Sequence, residues 1–152
     1  MTDSRSQMSL PVTWRPRRSR RMAAVLAVAV MITMVVLAIV VAPPFSIADR
    51  VGLVLFGLAI AALLGLLGRC RVSADAAGLT LVNPARTRRL EWAEVLAVTM
   101  GDGEPWPTLD LADGSTVSAM GIQRSDGARA MRALAELRAL VHEHGEAPDP
   151  TM

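Results

Sequence analysis

Two long apolar runs dominate the first half of the chain, Met22 to Ala42 and Val51 to Gly68, and no charged residue interrupts either. At about 1.5 Å of rise per residue, helices of this length reach about 27 to 31 Å, close to the hydrocarbon thickness of a bilayer. A core helix of a soluble protein keeps a polar stripe, and the stretch Ala23 to Ile32 has none. The pattern therefore predicts a transmembrane hairpin, with spans 22–42 and 51–68. Pro43-Pro44 ends the first helix, because proline lacks an amide donor and restricts the residue before it. Gly52, Gly57, Ala61 and Gly65 recur every four or five residues in the second run. They predict a face of small side chains that packs against the first span and is also able to pair two copies as a homo-oligomer.

From Cys70 the pattern changes to strand-like alternation. Arg71 to Ala74 and Leu79 to Asn83 flank the turn Asp75-Ala76-Ala77-Gly78, and Asn83-Pro84-Ala85 leads into a polar-faced strand, Arg86 to Leu90. Glu91 to Val95 reads as a single helical or 3₁₀ turn that points Trp92 and Val95 inward, followed by a strand from Leu96 to Met100. Residues 101–107 form a loop by composition, after which Thr108 to Ala112 and Ser115 to Ala119 flank Asp113-Gly114 as a hairpin. The last element is a helix capped near Ser125 or Asp126 and stopped by Gly145. Its apolar side carries Ala130, Leu134, Leu137 and Val141, with Ala133 and Leu140 alongside, while Arg129, Arg132, Glu136 and Glu143 face water. The fold class that follows is α+β: a two-helix membrane hairpin, then a small bent sheet or partly open barrel closed by one helix. Residues 1–21 and 146–152 are expected to be disordered, around a hairpin at 22–68 and a cytoplasmic domain at 69–145.

Charge sets the orientation. Residues 1–21 hold six Arg against Asp3, and Arg69 and Arg71 follow the second span. Arginine beside a span resists translocation, so both termini are expected in the cytoplasm of a plasma-membrane protein. Ser19-Arg20-Arg21-Met22 resembles a weak twin-arginine export signal, but a second span follows at once and returns the chain in any case. Residues 70–152 hold eight Arg against twelve Asp and Glu, an acidic balance that argues against a nucleic-acid partner. Trp14 beside Arg15 reads either as an anchor at the headgroup level or as an exposed aromatic on the arm.

No catalytic, cofactor or metal site is expected, and the chain is read as non-enzymatic. Cys70 is alone, which excludes an intramolecular disulfide. His142 and His144 stand two apart, on different faces of a helix, where metal ligands would stand four apart. Asp102, Glu104, Asp110 and Asp113 belong to turns without an accompanying nucleophile or base, and Gly101-Asp102-Gly103 lacks the spacing of a phosphate loop. Arg86, Arg88 and Arg89 form the basic cluster of the domain, and Trp106 sits between two prolines in its longest loop. These four residues are the expected contacts for lipid or protein, alongside the reading of the arginines as a solvated edge strand.

Two spans followed by Val72-Ser73-Ala74-Asp75, Gly78-Leu79, Leu90-Glu91-Trp92-Ala93-Glu94-Val95, Leu109-Asp110-Leu111-Ala112-Asp113-Gly114 and a closing helix resemble the bacterial pleckstrin-homology-like (PH) domain proteins, in particular the small membrane-anchored actinobacterial type. The resemblance covers residues 23–143. It implies a PH-like domain without catalysis, acting as a protein-binding or scaffolding module at the inner face of the plasma membrane. The first hairpin turn, Asp75 to Gly78, is acidic and lacks Arg, so phosphoinositide binding is not implied. Membrane lipids and a protein partner are the expected contacts, through strand addition at an open sheet edge or beside the helix. The alternatives are a sensor of anionic headgroups or an accessory subunit of an envelope or transport complex.

Overall fold

A computed structural model describes residues 9–145. The chain divides into two compact units. One is residues 17–69, and the other combines the segment before it, up to Pro16, with the segment from Cys70 onward.

The first unit is a pair of helices, α1 (Arg17–Val40) and α2 (Ile47–Gly68), both long and apolar enough to cross a membrane. Each starts a few residues before the apolar run that predicted it. The turn between them is closely built. Ser46 caps α2 by accepting from the Asp49 amide at 3.3 Å, and the Asp49 carboxylate accepts from the Ser46 amide at 2.8 Å. Arg50 reaches back to the end of α1, where its guanidinium donates to the carbonyls of Ala38 at 3.1 Å and Val41 at 2.9 Å. These are carbonyls that a helix C-terminus leaves without partners, so Arg50 both satisfies them and opposes the negative end of the helix dipole. The small-residue face of α2 meets α1 only in part: a Cβ on Gly57 would sit 3.0 Å from the Met34 side chain, whereas Gly52 and Gly65 have no neighbour at that range.

The second unit has two antiparallel sheets and one helix. The first sheet runs in the order β1 (Val12–Trp14), β2 (Arg71–Asp75), β3 (Gly78–Val82), β4 (Thr87–Glu91). The second holds β5 (Val95–Thr99), β6 (Thr108–Leu111) and β7 (Thr116–Ser118), and a closing helix, α3 (Ala128–Gly145), follows. The sheets do not close into a barrel. Their inner faces and the apolar side of α3 share one core, in which Val72, Ala74, Leu79, Leu81, Leu109, Leu137 and Leu140 are essentially inaccessible.

Strand β1 corrects the expectation of a disordered arm through residue 21. Val12, Thr13 and Trp14 pair with Ala74, Ser73 and Val72 of β2, and from residue 17 the chain is helical. The remaining arm residues, 1–8, and the tail 146–152 lie outside the described residues. Trp14 is buried in the core, and its indole Nε1 donates to Glu136 Oε2 of α3 at 2.8 Å. It is therefore a core residue, neither a headgroup anchor nor an exposed aromatic. Burying an indole in this way contributes about 1.5 to 3 kcal/mol or more, enough to hold a three-residue strand that has little intrinsic stability. The folded domain is thus discontinuous in sequence, with the helical hairpin inserted between its first two strands.

Polar side chains join the layers. Asn83, in the turn after β3, donates to Ser118 O at 2.8 Å and accepts from the Met120 amide, tying the first sheet to the end of the second. Gly121 lies so close to β2 that a Cβ would collide with the backbone of Arg71 and Val72. The Asp113-Gly114 hairpin forms as the sequence predicts, with Gly114 at φ 79°, and with Leu111 N donating to Ser115 O at 2.9 Å to close the loop. Trp92 points inward from its 3₁₀ turn and donates to Asp75 O at 3.1 Å.

Candidate functional site

The strand that enters the second sheet carries an irregularity with chemical consequences. Strict alternation from Leu96 would put Leu96 and Val98 on one face, yet Val95 and Val98 are the buried pair. The register slips between Val95 and Ala97, where Leu111 and Asp110 face them across the sheet. This bulge leaves Leu96 unpaired and turned to solvent, 65% exposed. β5 is also an edge strand, since among the described residues its only strand neighbour is β6.

Beside it runs a groove of about 290 Å³ between β5 and the C-terminal half of α3. Val95, Leu96, Ala97, Val98 and Val141 supply an apolar lining, and Arg138 and His142 supply polar ones. The edge itself is not free for another strand. Arg138 Nε donates to Val98 O at 2.9 Å, and a Cβ on Gly145 would lie 3.3 Å from Val95 O. Backbone acceptors that strand addition would use are thus engaged or covered by α3. The groove presents side chains to a visitor more than it presents backbone. At the far end of α3, His144 stacks on Trp92 with ring centroids 4.7 Å apart, and its Nδ1 lies 3.0 Å from Leu140 O, which fixes the end of the helix that forms the groove wall.

The four contact residues expected from sequence are distributed over several surfaces. Arg88 stands opposite Leu81 and Arg89 opposite Thr80, so these neighbours project from opposite faces of the first sheet, and both are exposed. Arg86 lies in the turn before β4, where its carbonyl accepts from Asn83 N at 2.9 Å. Arg88 also lies within electrostatic reach of the β6–β7 turn. There the Asp113 carboxyl is held below the usual carboxylate range, first by the Ser115 side chain, then by the Ser115 amide at 2.8 Å, with a smaller contribution from Arg88. Trp106 is half-buried in the loop before β6. That loop is pinned by Arg124, whose guanidinium donates to Glu104 O at 2.8 Å and Gly101 O at 2.6 Å. Among the described residues no group of three or more His, Cys, Asp or Glu is placed to hold a metal ion.

Among the described residues, seven strands in a four-plus-three arrangement, a 3₁₀ turn delivering Trp92 to the core, and a single helix after the last strand define the architecture of the domain. Residues 69–140 also match the family model described as bacterial PH domain. The domain is PH-like. The matched segment begins after the hairpin, so β1 of the PH domain stands outside it. Among similar proteins, uncharacterized proteins of Mycobacterium bovis and Mycobacterium tuberculosis are each 35% identical over 97 residues, 64% of this chain. The match spans 63% of the length of each of these relatives. No solved structure matches the chain. The match accounts for the fold of the domain.

The sequence reading missed Leu96 as a surface residue. The signal was present: Val95 and Leu96 are adjacent apolar residues entering a short strand, and a strand with one core face can bury only one of such a pair.

Proposed function

We propose that the protein is a two-span plasma-membrane protein whose PH domain is a non-enzymatic docking module in the cytoplasm. β1 precedes the hairpin and β2 follows it, and they pair residue for residue. Strands in one sheet must lie on one side of a membrane, so this pairing supports an even number of crossings. The arginine excess before the first span and Arg69 after the second favour the cytoplasm for that side.

The observation that carries the docking role is Leu96. A leucine held outward by a bulge on an edge strand, beside a groove with an apolar lining, gains free energy only when a partner covers it. The occupant we infer is a segment of a partner protein that seats an apolar side chain against Leu96 and Val141. It is held by side-chain contacts, because Arg138 and α3 already occupy the strand edge. Such a contact persists at high salt, where attraction between exposed charges is screened.

The test uses the full chain in native membranes, with partners captured at low and high ionic strength by wild type, Leu96→Asp and Arg88→Glu. The expected result is a salt-resistant partner that Leu96→Asp loses and Arg88→Glu retains. Capture that Leu96→Asp leaves intact, or that disappears with salt, contradicts the groove as the docking site.

A further inference from the structure

A second cleft, of about 260 Å³, lies within the PH domain, between the end of β1 and the N-terminal half of α3. Its lining includes Trp14, Arg15, Arg129, Arg132 and Glu136. Arg129 and Arg132 stand three apart on one helix face, and Arg15 reaches the same cleft from the strand that precedes the hairpin. All three are exposed, and none makes a hydrogen bond or ion pair among the described residues. One carboxylate of the lining, Glu136, accepts from the Trp14 indole. Asp126, also on the lining, has a partner of its own.

Three unpaired guanidiniums around one concave surface are suited to an oxyanion, which they can hold through paired, charge-assisted N–H donors. The source of that oxyanion follows from chain connectivity. Arg15 is two residues before α1 begins at Arg17 and seven before the apolar run begins at Met22. Two extended residues and five helical ones reach at most about 15 Å, so Arg15 cannot lie far from the headgroup layer if α1 crosses the membrane. Soluble phosphate compounds reach the cleft only by diffusion, whereas lipid phosphates are held beside it at high local concentration.

We propose that Arg15, Arg129 and Arg132 bind the phosphate of an anionic phospholipid from the membrane that holds the hairpin. Binding there would fix the domain's attitude to the bilayer at a point separate from the Leu96 groove. It also assigns β1 a role beyond packing: the strand delivers one of the three arginines, and a domain cut to begin at Cys70 would lack it.

The test is photo-labelling of the full chain in lipid nanodiscs containing photoactivatable phosphatidylglycerol, with modified residues located by mass spectrometry. Labelling is expected on residues 14–15 and 129–136. It should fall about five-fold for each guanidinium neutralised, hence about 25-fold in Arg129→Gln/Arg132→Gln, and should be unchanged in Arg86→Glu/Arg88→Glu. Arg129→Glu/Arg132→Glu, which reverses both charges, should show a larger loss in the same direction. Equal labelling by photoactivatable phosphatidylcholine, labelling confined to the hairpin, or labelling indifferent to Arg129 and Arg132 overturns the proposal. Abolition by excess inorganic phosphate also overturns it, by making the cleft a site for soluble anions.

Discussion

The hairpin and the PH domain use the same aliphatic residues in opposite ways. In the hairpin, Val25 is 70% exposed, Ile32 60% and Leu63 60%, while in the domain Val72, Leu109 and Leu137 are wholly covered. Exposed leucine and valine on a continuous helical surface are tolerated when the solvent is hydrocarbon, and in water they would drive association. Within the domain, where water is the solvent, an exposed leucine is the exception, and that gives Leu96 its meaning. The comparison teaches that burial is informative only against the medium that surrounds a segment. The two units also differ in how they are joined. The hairpin is one continuous stretch, whereas the domain is assembled from both of its flanks.

The sharpest way to break that contrast is at Trp14. If the N-terminal flank belongs to the domain core, Trp14→Ala should cost about 3 to 5 kcal/mol of domain stability, because it opens a cavity and leaves Glu136 without its donor. An arm lying free in solution or on the bilayer would register almost nothing. Chemical denaturation of the full chain in detergent, followed by Trp92 fluorescence in a Trp106→Phe background, reads the difference. A smaller effect is expected at Gly121, where an added methyl meets the β2 backbone: Gly121→Ala should cost about 1 to 3 kcal/mol by overpacking. The same change at Gly65 in the hairpin, where no atom lies within 4 Å, should be close to silent, and equal effects at both positions would erase the distinction between the units.

Much of this was legible in the sequence, and the exceptions have physical reasons. The two long apolar helices were readable because each is written as a run of about twenty apolar residues without a charge. Strands β2 to β7 were readable from alternation and turns, and α3 from its apolar side, whose six buried residues are those the 3.6-residue period selects. β1 was not. Val12-Thr13-Trp14 is too short for any period, and its partner Ser73 lies sixty residues away across the hairpin. Arg129 and Arg132 were legible as water-facing, but no spacing along one helix reveals that Arg15 completes their cleft. Leu96 was misread because alternation was assumed through a bulge. Local patterns therefore recovered the elements, while pairing across a long insertion and breaks in register required the folded chain.

The central claim is that a single folded domain is built from both flanks of the hairpin. Thr13 and Ser73 face each other across β1 and β2, with Thr13 Oγ1 donating to Ser73 Oγ at 3.1 Å. Cysteines placed at both positions, in a Cys70→Ser chain, should form an intramolecular disulfide on mild oxidation of native membranes, since directly opposed strand residues fall near disulfide geometry. A crosslink within one chain, absent from either single-cysteine form, is the result the account expects. Absence of the crosslink, or crosslinks formed only between copies, would contradict it.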